Sequence, residues 1–470
     1  MERFAIYIGR VAVSAAALLA LAGCRKGESV VRDTDKIDRW VYRTLAENYL
    51  WSSQMAPLET TDPSMSPERY FETLRYRADR SVAVADDIYG DRFSALKYAG
   101  PATRGGESFS DTKKTDFGFE VRYFTGSDGI RFCQILYVLP GSPAERAGIR
   151  RGDRFNGIDA STMPMSRSVY SSLMAAQRVT LRFNYPQKRD VTLEKGEYYD
   201  TPVLYRAVFE TSPRTGYLVF NHFTPGEGDR FLNELDDAFR YFREQGIAHL
   251  VLDLRYNGGG ELTVARRLAS LIARREMLGQ VLVYKEYNRC FGNPAAFEAE
   301  RFLSEGEIGP YNADVRRLCV ITSENTASAS ELIIHGLKPY YGEDLIVIGE
   351  TTVGKNVGGV EITNSRYEWE VHPITVRIYD RDKVSGYETG IVPELPELAE
   401  ATYDRPDIGA LGDAENDPLL RRALARLTGG EAASAGLLSL QGSVPVRSGG
   451  GATETSLPER GLIEARRAVY

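Results

Sequence analysis

Apolar residues along the chain fall into three successive patterns. In the first, up to about residue 105, they recur at helical spacing. Ile37, Val41, Leu45 and Tyr49 repeat every fourth position, and Thr34 is placed before them as an N-cap. A Pro/Ser/Thr-rich loop follows, and Ser66-Pro67-Glu68-Arg69 then opens a second helix with Tyr70, Phe71 and Leu74 on one face. In the second pattern, residues 112–196, short strand-like runs dominate. Cys133 to Leu139 is a strand ended by Pro140-Gly141, and Ser142-Pro143-Ala144-Glu145 starts a short helix with proline at its first position. Gly148 closes that helix, Gly152-Asp153 turns into the next strand, and Ser166 to Gln177 forms a second helix. In the third pattern, residues 200–428, strands and helices alternate. The predicted strands are Tyr217 to Phe223, His249 to Leu254, Gln280 to Tyr284, Leu318 to Ile321 and Leu345 to Ile348. Helices are predicted over Glu227 to Gln245, Thr263 to Arg275, from Ser328 through the apolar stretch Leu332 to Leu337, and over Asp417 to Leu427, with an enlarged turn at Tyr340 to Asp344. Near-continuous apolar runs mark strands buried on both faces, and the βαβαβ order predicts a parallel-rich sheet wrapped by helices. Gly359 to Thr363 and Tyr367 to Tyr379 read as a hairpin turning at Asn364-Ser365, and residues 429–470, rich in Gly, Ala and Ser, as a disordered tail.

The fold class is therefore α/β and multi-domain: a helical N-terminal region (36–105), a β domain (112–196) and an α/β core (200–428). A chain of 470 residues at 43% hydrophobic is long enough for two or three such cores. With 58 basic against 65 acidic residues, a net charge of −7, composition gives no case for a nucleic-acid partner. Residues 1–23 change the picture. Arg3 and Arg10 precede an apolar run from Val11 to Ala22, and L-A-G-C ends at Cys24. This resembles a bacterial lipoprotein signal, in which Cys24 is diacylated and becomes the mature N-terminus; an ordinary secretory signal with an incidental cysteine is the alternative. The resemblance implies a membrane partner through a lipid anchor, with residues 24–35 as a tether. No acidic cluster follows the cysteine, so an outer-membrane site facing the periplasm is expected. Cys133, Cys290 and Cys319 remain, an odd number, so at least one stays a thiol.

Candidate chemistry sits at the ends of the core strands. Ser328, in T-A-S-A-S-E, lies between an apolar run and a helix start, an exposed and electropositive position for a hydroxyl. Lys355, in G-E-T-T-V-G-K, follows the next strand on a glycine-bearing loop, and a lysine kept neutral by burial can act as a base. Gly258-Gly259-Gly260 follows a buried strand and precedes a helix, where bare amides can meet an oxyanion.

With L-D-L-R-Y-N-G-G-G (Leu252 to Gly260), these segments resemble the C-terminal processing serine peptidases, or tail-specific proteases. The block from Pro140 to Phe155 resembles the core of a PDZ domain, which that family carries ahead of its catalytic core. The resemblance implies Ser328 as nucleophile, Lys355 as general base, and the amides of Ala329 and Gly259 as oxyanion hole. It implies that Phe117, Gly118, Phe119 and Glu120 bind a substrate's C-terminal carboxylate, so that protein or peptide tails are the partners. A PDZ-like domain that only packs on the core is the other reading. One departure stands out: the family has a glutamine four residues past the lysine, and here that position is Gly359.

No cofactor is expected. The sequence has no G-x-x-x-x-G-K-[ST] and no H-E-x-x-H or clustered His/Cys pattern, so neither a nucleotide nor a metal site is called. Of the four histidines, His335 lies two turns from Ser328, about 10 Å away, and His249 starts a buried strand. His222 and His372 are loosely placed, and His372 is a candidate to replace the glutamine. The expected function is a lipid-anchored serine endopeptidase with a Ser/Lys dyad. The alternative is a non-catalytic peptide-binding lipoprotein on a degenerate protease scaffold.

Overall fold

A computed structural model describes residues 25–62, 64–77, 90–98, 113–125, 131–159, 161–162, 167–288, 297–364, 366–394, 400 and 408–429. Two units are distinguished: residues 1–106, 287–296 and 359–376 form one, and residues 107–286, 297–358 and 377–470 the other.

In the first unit, the helix Arg25–Asn48 buries Val41 and Leu45, and Tyr49 just past its end. It starts well before the expected cap, so Thr34 lies inside it and residues 25–35 are helical. That stretch contains no proline, and Glu28/Arg32 and Asp35/Arg39 have the i,i+4 spacing that supports a helix without an apolar stripe. The Tyr49 hydroxyl donates to Asp91 Oδ2 at 2.8 Å and accepts from the Tyr76 N–H at 2.9 Å. Helix Pro67–Leu74 has the expected serine cap and buries Tyr70, Phe71 and Leu74. A small antiparallel sheet orders Ala95–Tyr98, Trp369–His372 and Ile362–Asn364. Asn364 pairs with Trp369, so it belongs to a strand and not to the expected Asn364-Ser365 turn. The second half of the expected hairpin is divided. Pro373, with no N–H to give, separates Trp369–His372 from Ile374–Tyr379, which joins a different sheet.

The second unit contains the β domain. Its sheet runs β1 (Phe119–Thr125), β2 (Arg131–Val138), β3 (Arg154–Ile158), β4 (Arg178–Tyr185) and β5 (Arg189–Glu194), with helix α1 (Arg167–Ala175) between β3 and β4 in sequence. Phe117, Phe119, Val121, Ile135, Phe155, Leu173, Leu181 and Phe183 fill its core. Lys113–Asp116 pairs with Gly196–Tyr199, bringing the entry and exit of the domain together. Gly118 is fixed by space: its φ is +80°, and an added Cβ would lie 2.1 Å from Ser142 Cβ.

The core sheet follows, in the order β6 (Val203–Phe209), β7 (Thr215–Phe220), β8 (His249–Asp253), β9 (Arg317–Thr322) and β10 (Leu345–Gly349). β7, β8, β9 and β10 are parallel, and β6 is an antiparallel edge. Every residue of β7, β8 and β10 is buried, which is why these strands read as apolar runs rather than alternations. Their connections are helices α2 (Arg230–Glu244), α3 (Leu262–Ile272) and α4 (Ala329–Tyr341). Helix α5 (Pro418–Thr428), capped by Asp417, packs Leu419, Leu420, Ala423 and Leu427 against Tyr217, Val251, Cys319, Ile321 and Ile346. In place of the expected enlarged turn at Tyr340 to Asp344, α4 continues through Tyr341 and ends in a 3-10 turn, Gly342–Asp344.

Cys133 and Cys319 are buried thiols, and burial pushes both well above the usual thiol range. Cys24, Cys290 and residues 430–470 lie outside the described residues. Among the described residues no helix is long and apolar enough to cross a membrane.

Candidate active site

Three loops leave the carboxyl ends of neighbouring parallel strands: 254–260 after β8, 323–328 after β9 and 350–355 after β10. In open α/β sheets this end is where ligands bind. The loops are laced together. Thr326 Oγ1 donates to Leu254 O at 2.9 Å, Ser323 Oγ to Arg255 O at 2.5 Å, the Ala327 N–H to Asn257 O at 3.2 Å, Ser330 Oγ to the same carbonyl at 3.1 Å, and the Val353 N–H to Thr326 O at 3.0 Å.

Ser328 joins β9's loop to α4 in a strained conformation, φ +61° and ψ −112°. A non-glycine residue held there costs about 1–3 kcal/mol. The residue is 1% exposed, and its Oγ makes no hydrogen bond among the described residues, to histidine or to any other group. As first residue of α4, Ala329 has an N–H without an intrahelical acceptor. Gly259, at φ +110°, lies against both: a Cβ there would be 2.9 Å from Ser328 Cβ and 3.3 Å from Ala329 N. The Gly259 N–H is engaged, however. It donates to Asn257 Oδ1 at 2.9 Å, and Asn257 Nδ2 donates to Phe220 O at 2.8 Å.

Glu331 ties serine to lysine. This carboxylate is wholly buried, and it accepts from the Ser328 N–H at 2.7 Å and the Lys355 N–H at 2.8 Å on one oxygen. Its other oxygen accepts from the Gly354 N–H at 2.7 Å and Thr352 Oγ1 at 2.5 Å. Burial pushes the Glu331 carboxyl up, and the four donors pull it part of the way back. The lysine loop is held from its other side as well: the Ile391 N–H donates to Thr352 Oγ1 at 2.7 Å, and a Cβ on Gly354 would lie 2.3 Å from Glu388 O. Lys355 itself is half-buried. At the head of this loop, burial together with Glu324 and Glu400 pushes the Glu350 carboxyl up to about 7. Gly359 has no room for the glutamine that the resemblance calls for, since a Cβ there would lie 2.4 Å from Pro373 O. His372 Nε2 lies 3.4 Å from Glu370 Oε2, His222 Nε2 2.9 Å from Asp200 O, and His335 Nε2 2.8 Å from Val384 O.

A second buried cluster supports the loop carrying Gly259. Arg255, 1% exposed, pairs with Asp253 at 2.7 Å, Asp417 at 2.8 Å and Glu400 at 2.9 Å. Glu400 also meets Arg151 at 2.5 Å and the Tyr256 hydroxyl, with Arg122 3.8 Å away. Arg122 and Arg151 belong to the β domain, so this carboxylate joins that domain to the loop that carries Gly259. Burial pushes the Glu400 carboxyl up, but Arg151, Arg255 and Arg122 together hold it well below the usual range. Its folded pKa is depressed, so its contribution is fully present above about pH 4.3 and is lost as pH falls further. Removing its charge in Glu400→Gln is expected to cost about 3–5 kcal/mol at pH 7, as for a broken buried pair. Thermal melting should show this gap at pH 7 and a narrower one below pH 4.

Sequence reasoning missed Glu331 and this cluster. The signal for Glu331 was S-x-x-E at 328–331, the capping-box spacing in which the acid reaches back to the cap N–H. The signal for the cluster was the charge of Asp253 and Arg255 at the end of an otherwise apolar run. In the β domain, Phe117 and Phe119 point into the core, stacked 6.4 Å apart, while Glu120 is half-buried on β1. The Phe117 and Gly118 carbonyls accept from the Ala144 and Leu139 N–H groups. Among the described residues there is no group of three or more His, Cys, Asp or Glu suited to a metal ion.

A strained serine turn at a helix N-terminus, bonded to a lysine loop through one carboxylate, is the arrangement expected of a serine hydrolase. Comparison with known proteins agrees with that class. Residues 214–396 match peptidase family S41, residues 36–95 match the peptidase S41 N-terminal domain, and the chain belongs to this family. It is 27% identical over 305 residues to carboxyl-terminal-processing peptidase 2, chloroplastic, of Arabidopsis thaliana, covering 60% of this chain and 53% of that protein. It is 26% identical over 280 residues to a carboxyl-terminal-processing protease of Picosynechococcus, covering 56% and 61%. The chain thus spans a little over half of these curated relatives. A crystal structure of a protein assigned to the S41 proteases from Bacteroides fragilis shares the fold, with a TM-score of 0.67 at 24% identity over 83% of this chain and 97% of that one.

Proposed function

We propose that the protein is a serine endopeptidase in which Ser328 is the nucleophile and Lys355 the general base. The observation that carries this reading is the Glu331 carboxylate, which fixes the Ser328 and Lys355 backbones through one oxygen atom. The proton leaves Ser328 Oγ for the neutral Lys355 amine as Oγ attacks a peptide carbonyl. The developing oxyanion is received by the Ala329 N–H at the positive end of α4. Gly259 joins as second donor once its N–H turns from Asn257 Oδ1 towards the oxyanion. Lys355 returns the proton to the leaving amine, and water, deprotonated in the same way, releases the acyl group. Substrates are recognised by their C-terminal tails through the β domain, a reading supported by the relatives' carboxyl-terminal processing. The N-terminal pattern ending at Cys24 supports a lipid anchor in the cell envelope, facing the periplasm.

The engaged Gly259 amide favours a second reading, a peptide-binding protein without turnover. Digestion of an unfolded protein separates the two. Wild type is expected to cleave it and Ser328→Ala to leave it intact; if both leave it intact, the binding-protein reading stands. For the anchor, Cys24→Ala is expected to move the protein from the membrane to the soluble fraction or to block maturation. Membrane-bound mature protein without acyl chains would refute the anchor.

A further inference from the structure

A lysine amine hangs on a flexible four-carbon stem, so where it points depends first on how the backbone beneath it is held. Before the stem, Glu331 on the first turn of α4 accepts from the Lys355 N–H at 2.8 Å. After it, the chain is held from another segment. Asn356 is 4% exposed, and its Nδ2 donates to Ser385 Oγ at 2.9 Å and to Glu388 Oε1 at 2.6 Å. Its carbonyl accepts from the Ile378 N–H at 2.9 Å, and Ser385 Oγ donates in turn to Ile378 O at 2.8 Å. Between Ser385 and Glu388 lies Tyr387, whose buried ring rests on the His335 ring with centroids 4.7 Å apart. The His335 Nε2–H donates to Val384 O at 2.8 Å. His335 is on α4, the helix that begins directly after Ser328. Residues 384–388 are therefore docked on the nucleophile's own helix, one turn beyond Glu331. The circuit closes: α4 through Glu331 to Lys355, through Asn356 to Ser385 and Glu388, and through Tyr387 and His335 back to α4. Gly359, where the resemblance calls for a glutamine, has no space for a side chain and takes no part.

We propose that Asn356 is a positioning residue for the Ser328–Lys355 pair. Through Ser385 and Glu388 it ties the chain beyond the lysine to a segment docked on α4, so base and nucleophile are referred to one helix from both sides of Lys355. This rests on the reading of Lys355 as the base. Without the Asn356 side chain, Glu331 still holds the Lys355 N–H, but the following residue loses its tie to Ser385 and Glu388. The stem then leaves the backbone in a changed direction, and the amine is displaced from Ser328 Oγ. Proton transfer needs the two atoms within hydrogen-bond reach, so the loss falls on the chemical step and not on substrate binding.

The test is the rate at which a fluorophosphonate probe labels Ser328 in the full-length protein, well below each variant's melting temperature. Asn356→Ala and Glu388→Ala are each expected to label about tenfold to a hundredfold more slowly than wild type, the scale of a misplacement near 1 Å. Glu388 is half-buried, so its variant tests the same tie from the more exposed end. The double variant should be no slower than the slower single one, because both remove one interaction. Glu388→Gln keeps an oxygen that accepts from Asn356 and is expected to recover most of the rate. With an unfolded protein as substrate, Asn356→Ala should lower kcat and leave KM unchanged. Labelling of folded Asn356→Ala at the wild-type rate, or single losses that multiply in the double variant, would overturn the tie and leave Lys355 as base. If wild type and Lys355→Arg label equally, the base reading falls and the positioning role falls with it.

Discussion

Replacing Lys355 with arginine abolishes turnover without unfolding the protein. A lysine amine in water has a pKa of about 10.4, and the loop must keep it neutral for it to take the Ser328 proton. Arginine fills similar space but cannot give up its charge under any working condition. Loss of a general base costs about 10²–10⁴-fold, and more when base and nucleophile act as a unit. The expected result is therefore a kcat reduced at least to the lower end of that range, with a thermal melt close to that of wild type. The pH profile of the parent needs one control. Glu350, at the head of the same loop, has its carboxyl pushed up to about 7 by burial and by Glu324 and Glu400, so it also titrates near neutrality. If Lys355 is the base, Glu350→Gln keeps the rise of acylation with pH.

Glu331→Gln is expected to have the second-largest effect. The carboxylate has two oxygens, and each accepts from two donors: Ser328 and Lys355 N–H on one, Gly354 N–H and Thr352 Oγ1 on the other. An amide can satisfy one pair; its NH₂ group faces the other donor to donor. Leaving buried donors unsatisfied costs about 1–3 kcal/mol each. If the Ser328 and Lys355 amides are the pair that suffers, the two loops move apart, and a displacement near 1 Å costs about 10²-fold in rate. Kinetics should show the loss in kcat more than in KM, with a lowered melting temperature. An unchanged kcat would mean that Glu331 serves stability alone.

How much of this was legible in the sequence depends on whether an interaction is local. The core strands stood out because β7, β8 and β10 are buried on both faces, which forces unbroken apolar runs such as His249–Asp253 and Leu345–Gly349. Ser328 and Lys355 stood out because each follows directly on such a run. The role of Glu331 was half visible: its capping bond to Ser328 is local, but its bonds to Thr352, Gly354 and Lys355 come from a loop more than twenty residues away. The Arg255–Glu400 pair was hidden for the same reason, since its members lie 145 positions apart. The early start of the first helix at Arg25 was missed because residues 25–34 are mostly polar, and a stretch without an apolar stripe gives no helical signal. The bond from Asn356 to Glu388 was invisible because it depends on how residues 385–388 lie against the lysine loop, which no spacing in the sequence records.

The central claim is that Lys355 activates Ser328, and the rate of active-site labelling measures it most directly. A fluorophosphonate probe, reacted with wild type, Glu350→Gln and Lys355→Arg across pH 5–10 and mapped by peptide mass spectrometry, reports both the residue and its activation. The expected result is a single adduct on Ser328 in wild type and Glu350→Gln, forming at a rate that rises with pH and then levels off, and no comparable labelling of Lys355→Arg at any pH. Labelling of Lys355→Arg at the wild-type rate, or an adduct on another residue, would contradict the dyad.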